Sequence, residues 1–246
     1  MKTTFKKIAL TLIVALSLPF GGLGWASAQA NQSGAGNCLD FNGTSNYVTI
    51  SDSPNFNFGN TLTVEIWINV PNANPVSPKT IVAKADDPVY SDLEFNLNLE
   101  TDGRIRFWIS TNGVDNALIV AFSSTAISPN QWYHVVGRYD GANLTVFLNG
   151  NSGLSVARAG NIFNGVANIE FARAFGTGGS WVYTGMIDEC RIWNTARTQT
   201  QIRDNMCKKL IGNELGLVGY WRFDETTGNT AFDSQTNVAP NNGTGF

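Results

Sequence analysis

The residues of this sequence that could carry out hydrolysis are few. His134 is the only histidine of the chain, and it lies in a run, Tyr133 to Tyr139, whose apolar spacing predicts a strand. A serine or cysteine nucleophile needs a neighbouring base, and a catalytic zinc ion usually needs three protein ligands. We therefore expect His134 to be a packed, hydrogen-bonded strand residue rather than a catalytic base or a zinc ligand.

Paired carboxylates would be the other route to hydrolysis. Retaining glycoside hydrolases hold two carboxyl groups about 5 to 5.5 Å apart. The acidic residues in or beside predicted strands that could form such a set are Glu65, Asp92, Glu94, Asp188 and Glu189. Asp188 and Glu189 are neighbours, so we expect them on opposite faces of their strand. The other strands do not carry a full set of acids on one face, and we predict that the chain is not an enzyme.

Runs with alternating apolar and polar residues recur along the chain, each closed by Gly, Asn, Asp or Pro, which is typical of strands with one buried face. In the clearest strand, Leu62 to Ile68, the residues Leu62, Val64, Ile66 and Ile68 share a face. The other predicted strands are Leu39–Phe41, Tyr47–Ile50, Phe95–Leu99, Ile105–Ile109, Tyr133–Tyr139, Leu144–Leu148, Ile169–Phe171, Met186–Trp193 and Leu217–Phe223. Since helical periods do not separate them, the pattern predicts an all-β fold, an antiparallel two-sheet β-sandwich.

One short helix is predicted near the C-terminus, over Thr198 to Leu210. Its apolar residues Ile202, Met206 and Leu210 are four apart, and Gly212 is a stop signal. We expect this stripe to pack on a sandwich domain that spans residues 31–212. Residues 213–246 then form a C-terminal strand and a Gly-, Asn- and Thr-rich tail that we expect to be weakly ordered.

The first 30 residues have the features of an export signal. Lys2, Lys6 and Lys7 precede the apolar run Ile8 to Leu18, and small residues within 26–30 offer cleavage sites. The run is too short to cross a bilayer, which needs about 20 residues. We therefore predict a signal peptide over residues 1–30, a secreted product, extracellular or periplasmic, and no membrane span. The chain is acidic, with a net charge of -3, so we do not expect nucleic acid as a partner.

Six motifs together resemble a known family. LDFNGTSNYVTI, LTVEIWI, IVAKA, DGRIRFWI, QWYHVVGRYDGANLTVFLNG and GMIDECRIWNTARTQTQI are similar to motifs of bacterial laminin G-like, concanavalin A-like lectin domains, in the same order, from Cys38 to Ile202. The resemblance implies a jelly-roll sandwich that recognises a glycan or a protein at the cell exterior, as in adhesion. The alternatives are a polysaccharide hydrolase of the same fold and a structural domain of a larger adhesin. GLVGYWRFDETTGNTAFDS resembles a segment beside such domains, so the chain is either a one-domain member or the front of a tandem array.

The resemblance also implies a structural calcium ion held by loop oxygens. Asp188 is the best acid for it, and Asn42 and Asn46 occupy positions where the family commonly has aspartate. The further loop candidates are Asp52, Asp86 and Asp87. The alternative is that Asn42 and Asn46 make local turn hydrogen bonds.

Sugar binding would use loop aromatic residues that stack on an apolar sugar face. Trp181 and Tyr183, which follow a glycine-rich stretch, and Tyr90 are the candidates. The strand tryptophans are expected in the core instead; they are Trp67, Trp132 and Trp193.

Three cysteines leave one thiol unpaired in an oxidising compartment. In the matched motif Cys190 points inward with Ile192, whereas Cys38 precedes the inward-pointing Leu39 and should point outward. We therefore favour a bond between Cys38 and Cys207, with a bond between Cys190 and Cys207 as the alternative.

Overall fold

A computed structural model describes residues 36–86, 92–114, 119–174 and 181–245. The predicted signal peptide, Asp87 and Tyr90, and the side chain of Asp86 lie outside these ranges. Within them, no helix has the length and apolar character needed to span a bilayer.

Two antiparallel sheets make up the fold, as the sequence predicted. The first sheet contains β1 (Leu39–Asn42), β3 (Leu62–Asn69), β8 (Trp132–Tyr139), β9 (Asn143–Leu148), β10 (Asn151–Ser152), β11 (Val156–Ala157), β13 (Thr184–Trp193) and β14 (Leu217–Trp221). The second contains β2 (Val48–Ile50), β4 (Lys79–Asp86), β5 (Asp92–Leu99), β6 (Ile105–Gly113), β7 (Ile119–Phe122), β12 (Ile169–Phe171), β15 (Thr230–Ala231) and β16 (Gly243–Gly245).

The strand order explains how the sheets are built. In the first sheet it is β1-β13-β3-β8-β9-β10, with β14 paired to β13 and β11 to β9; in the second it is β15-β16-β2-β12-β4-β5-β6-β7. Most neighbours are distant in sequence, so the fold depends on long-range pairing. The hairpin from β9 to β10 turns through Asn149 (φ 49°) and Gly150 (φ 74°), the positive angles that an Asn-Gly turn supplies.

The core lies between the sheets and follows the predicted alternation. Leu62, Val64, Ile66 and Ile68 of β3 are completely buried in one apolar cluster, and each such side chain contributes about 1.5 to 3 kcal/mol by burial. The strand tryptophans that were expected in the core differ in burial. Trp67 and Trp193 are fully buried, whereas Trp132 is half-buried.

The helix, α1 (Gln199–Asn205), is shorter than predicted. Thr198 and Gln201 form a capping box at its start. Ile202 packs on the outer face of the first sheet, against Val136 and Phe147. The helix ends before Met206 and Leu210, and Leu210 instead packs with Trp193, Leu217 and Tyr220.

The C-terminal residues complete both sheets: the predicted strand forms β14, and the tail after it, which we expected to be weakly ordered, contributes β15 and β16. β14 pairs with β13, and β16 pairs with β2. Asp233 is the hub of this segment, because its carboxylate accepts hydrogen bonds from the backbone of Tyr220, Gln235 and Asn241.

The predicted disulfide is not formed in the structure. Cys38, Cys190 and Cys207 are free thiols. Cys190 is buried in the core, as expected. Cys38 is also buried, at 7% exposure, beside the charge of Asp188, whereas Cys207 is exposed beyond the end of α1. Cys38 lies outside the core cluster that contains Leu39, as expected, but it is buried there and is not bonded to Cys207.

Candidate functional site

The loop aromatic Tyr183 is a core residue, which corrects its assignment to a sugar site. Its side chain is completely buried, and its hydroxyl donates to the backbone oxygens of Met186 and Asn69 at 3.2 and 3.4 Å. Burial raises the pKa of this hydroxyl well above its usual value. A side chain held in this way cannot stack on a sugar, and of the predicted aromatic residues only Trp181 remains among those described.

The predicted calcium ligands lie apart and do not fit one ion. Asn42 is paired with Thr184 at one end of the β1–β13 ladder, and Asp188 lies four residues further along β13, about 13 Å away at about 3.3 Å per residue. Calcium ligands lie about 2.3 to 2.6 Å from the ion. Within the described ranges, no group of three or more acidic, histidine or cysteine side chains is arranged for a metal.

Asn42 instead organises its own loop, which was the alternative prediction. Its side-chain oxygen accepts hydrogen bonds from the backbone N–H groups of Thr44, Ser45 and Asn46 at 2.9, 3.0 and 3.2 Å. Its amide nitrogen donates to the hydroxyl of Ser45. The asparagine therefore acts as a turn residue.

Asp188 is buried where a charge is costly. Its side chain is 2% exposed, and one of its oxygens accepts from the backbone of Glu189. Burial, reinforced by the charge of Glu189, raises the pKa of Asp188 to about 8. In this environment, without a cation, the acid favours its protonated form near neutral pH.

A β-bulge places Asp188 and Glu189 on the same side of the sheet, contrary to the predicted alternation. The register between β3 and β13 shifts between Asp188 and Arg191, and Glu189 has a φ of 51°. Glu189 accepts hydrogen bonds from Arg191 at 2.9 Å and from the hydroxyl of Tyr220 at 2.6 Å. Bulges redirect side chains in this way.

We call the outer surface of the first sheet the covered face; it consists of Glu65, Trp67, His134, Arg191 and the residues from Arg197 to Leu210 above them. Glu65 is fully buried and contacts Arg197 at 3.0 Å, His134 at 3.4 Å and Arg191 at 4.0 Å. Burial alone would raise the pKa of Glu65, but the contact with His134 and the two arginine charges lower it overall.

His134 and the arginine side chains are structural parts of this covered face. His134 is 1% exposed, and burial lowers its pKa against the opposing effect of Glu65. Arg191 donates to the backbone oxygens of Asn205 and Lys208, and the indole of Trp67 donates to that of Met206 at 2.8 Å. The expected packed role of His134 is confirmed, and Glu65 holds cations rather than facing a groove.

The outer surface of the second sheet is built differently. Direct cross-strand neighbours run in one row through Thr244 of β16, Thr49 of β2, Glu170 of β12, Ala83 of β4, Asn96 of β5, Trp108 of β6 and Val120 of β7. The next row contains Thr80, Asn98, Arg106 and Phe122. Directly opposed residues share a face, so these side chains point away from the core.

We call Asn96, Asn98 and Trp108 the amide patch. All three are buried, at 0 to 1% exposure. Among the residues that the structure describes, the amide nitrogen and oxygen of Asn96, the amide oxygen of Asn98 and the indole nitrogen of Trp108 have no hydrogen-bond partner. Buried polar atoms normally have one, so each such atom in a native protein calls for an explanation.

Trp181 lies at the edge of the amide patch. Its backbone oxygen accepts from the backbone of Thr80 at 2.8 Å, and the guanidinium of Arg106 lies 5.7 Å from its ring centroid. Thr80 and Arg106 are the two cross-strand neighbours of Asn98, so Trp181 contacts the strands on both sides of that amide. Trp181 itself is half-buried, and Arg106 pairs with Glu100 at 2.9 Å.

Comparison with known proteins identifies the family. A family model described as the concanavalin A-like lectin/glucanases superfamily matches residues 42–203, more than half of the chain. The chain belongs to this superfamily. No curated protein matches the sequence.

Solved structures share the concanavalin A-like fold. A candidate carbohydrate-binding protein from Bacteroides ovatus is 21% identical with a TM-score of 0.65; the match covers 85% of this chain but only 57% of that protein. Domain 4 of a GH43 extracellular arabinanase from Geobacillus stearothermophilus, in complex with arabinotriose, is 21% identical with a TM-score of 0.53 and coverages of 75% and 81%. The CBM40 of the Ruminococcus gnavus IT-sialidase, bound to alpha2,3 sialyllactose, is 12% identical with a TM-score of 0.53 and coverages of 68% and 95%.

The amide patch of this concanavalin A-like domain was missed from the sequence. Asn96 and Asn98 alternate with the apolar residues Phe95, Leu97 and Leu99, all three of which are in the core. The same period of two that identified the strand therefore placed both amides on the opposite face. That signal was available, but it could not say that the opposite face would also be buried.

Proposed function

We propose that this chain is a non-catalytic glycan-binding module acting outside the cytoplasm, and that it binds its glycan at the outer face of the second sheet, where Trp181 borders the amide patch. The observation that carries the proposal is the set of buried polar atoms of Asn96, Asn98 and Trp108 that have no partner within the described part of the chain. Sugar hydroxyl groups both donate and accept hydrogen bonds, so they match amide groups, which offer both functions.

Two layers of side chains would contact the sugar. In the outer layer, the half-buried ring of Trp181 and the Arg106–Glu100 ion pair supply an apolar surface beside charged hydrogen-bonding groups. In the inner layer, Asn98 and Asn96 are completely buried, so they would reach sugar hydroxyls through bridging water, which is nearly as favourable as direct contact. A few polar groups beside an aromatic surface are typical of ligand sites.

The acidic residues support binding rather than hydrolysis. Glu65 is enclosed by Arg197 and His134, Glu94 contacts Lys84, and Asp92 accepts from the backbone of Val166. Each carboxylate therefore has a structural partner. Domains of the same fold are found with bound arabinotriose and sialyllactose, so the fold is compatible with oligosaccharide binding.

The test is a thermal unfolding scan of the purified protein against a panel of soluble oligosaccharides. A ligand that binds only the folded state raises the midpoint, and at a hundredfold excess over Kd it adds about 2.7 kcal/mol. We expect at least one glycan to raise the midpoint of the wild-type protein. In Trp181→Ala this shift should be lost.

The matched control is Phe232→Ala, which removes an exposed aromatic side chain, 55% accessible, next to β15. Phe232→Ala should retain the full glycan shift. If no glycan raises the wild-type midpoint, or if Trp181→Ala keeps the full shift, the proposal is wrong.

A further inference from the structure

Lys84 is the most deeply buried lysine of the described residues, and two carboxylates meet its ammonium group. Its side chain is 0% exposed. The Nζ atom lies 2.9 Å from Oδ1 of Asp52, which follows β2, and also contacts Oε1 of Glu94 on β5. Lysine is almost never fully buried unless it is paired. A completely buried lysine in contact with two carboxylates is therefore an unusual arrangement.

A second lysine provides a comparison within the chain. Lys209 and Asp224 form an ion pair at 2.7 Å, but their side chains are 40% and 36% exposed. Water stabilises the charges of that pair. Lys84 differs in that its own side chain is completely removed from water, while the side chain of Asp52 is 28% exposed.

We propose that Lys84 and Asp52 form an intramolecular amide bond, with Glu94 as the residue that relays protons. A proton moves from the ammonium to the carboxylate of Asp52, which leaves a neutral amine and a carboxylic acid. The Nζ atom then attacks Cγ of Asp52, the new N–C bond forms, and the bond from Cγ to its hydroxyl oxygen breaks. The hydroxyl leaves with one amine proton as water, so the step is a condensation without oxidation or reduction.

The geometry of Glu94 suits a proton relay. Its Oε1 accepts from Lys84 and from the backbone of Gly165. Its Oε2 has no hydrogen-bond partner among the described residues. Burial, which the charge of Lys84 only partly offsets, raises the pKa of Glu94 to about 7, and a relay works best when its pKa is near the ambient pH.

The approach of Lys84 to Asp52 also suits attack on carbon. The 2.9 Å contact lacks hydrogen-bond geometry at Oδ1, so the amine is close to the carboxyl group without being held along a hydrogen-bond direction. The contacted oxygen is bonded to Cγ, the carbon that the amine attacks, and a fixed approach of this kind favours reaction.

The bond would join the end of β2 to β4 across the intervening strand β12. It would close the chain between residues 52 and 84 covalently in a protein whose three cysteines are free thiols. A cross-link between distant chain segments restricts the unfolded state, as a disulfide does.

The test is peptide mapping by mass spectrometry of the full chain after expression and complete denaturation. We expect the tryptic peptides that contain Asp52 and Lys84 to appear as one linked species, lighter than their sum by one water molecule. Trypsin should not cleave after Lys84. The exposed pair is the internal control: trypsin should cleave after Lys209, and the peptide of Asp224 should be unmodified.

Variants distinguish the roles of the two acids. Glu94→Gln keeps the shape but loses the relay, so the linked species should form about a hundredfold more slowly or not at all. Asp52→Ala should abolish it. Separate, unmodified peptides in the wild-type protein would mean an ion pair only and would overturn the proposal whether or not the variants fold. A linked species that persists in Asp52→Ala would overturn the assignment to Asp52.

Discussion

The outer faces of the two sheets bury polar side chains in opposite ways. On the covered face, Glu65 contacts two arginines and His134, and Arg191 donates to the backbone beyond α1. On the second sheet, Asn96 is equally buried, and both of its side-chain polar atoms lack partners among the described residues. The charged groups of the first face are paired as ions, although Nδ1 of His134 and Nε of Arg191 also lack a hydrogen-bond partner among the described residues, whereas Asn96 has neither kind of partner there.

This difference separates a structural surface from a recognition surface. An unmade buried hydrogen bond costs about 1 to 3 kcal/mol, so a fold retains such groups where they have another use. The covered face binds the chain's own helix. The amide patch, with Trp181 beside it, is the region where we expect a ligand to complete the pairing.

The largest effect should follow from removing the central charge of the covered face. Glu65→Ala leaves Arg197 and Arg191 buried without their shared carboxylate. We expect a loss of about 3 to 5 kcal/mol in the free energy of unfolding, measured by equilibrium denaturation. A loss below about 1 kcal/mol would mean that the cluster is effectively solvated, and the comparison would fail.

Asp188 provides a second acid for this comparison. It is on the same side of the first sheet as Glu65, but it forms no ion pair among the described residues. Its pKa is raised from 3.8 to about 8, so the folded state favours the protonated acid. Its contribution to stability is complete below pH 4 and is lost as the pH rises through about 8.

Asp188→Asn should remove this dependence, since the amide oxygen can still accept from the backbone of Glu189. We expect the variant to equal the wild type near pH 4 and to be more stable by about 1 to 3 kcal/mol above pH 8. Thermal unfolding across this pH range measures the difference. A wild-type protein that gains stability between pH 4 and 8 relative to the variant would contradict the assignment.

A smaller change in the free energy of unfolding, or an increase in it, is expected when a polar side chain of the amide patch is removed. Asn96→Leu has a similar volume and removes two buried polar atoms without partners. The free energy of unfolding should stay within about 1 kcal/mol of the wild type or increase, while glycan binding weakens. A loss as large as that of Glu65→Ala would show that Asn96 is structurally paired.

The smallest effect is expected from chelation. Asn42 is occupied by its own loop and is about 13 Å along the ladder from Asp188. A chelator should therefore leave the unfolding midpoint unchanged, and added calcium should not raise it. A calcium shift that Asp188→Asn abolishes would revive the metal site.

The sequence predicted the fold well where the pattern was local. The alternation of Leu62, Val64, Ile66 and Ile68 identified a core-facing strand, because one buried face imposes a period of two. The C-terminal strand β14 was predicted in the same way, but β16 was missed: it is Gly243–Gly245, which has no apolar period and is held by pairing with β2 from the start of the sandwich.

The site could be predicted only in part. Trp181 was identified from its loop position, but Tyr183 two residues later is in the core, since a loop's sequence does not say where the chain re-enters the sandwich. The bulge at Glu189 depends on the register between β13 and β3, which no single strand encodes. The burial of Asn96 depends on tertiary packing in the same way.

The most direct measurement is an NMR titration of the tryptophan indole N–H signals with a glycan that raises the unfolding midpoint. We predict that the signals of Trp108 and Trp181 shift on binding. Those of Trp67 and Trp221 should not, because their indole groups already donate to the backbone of Met206 and Asn241. Shifts confined to Trp67 or Trp221, with Trp108 and Trp181 unchanged at saturation, would contradict a binding site on the outer face of the second sheet.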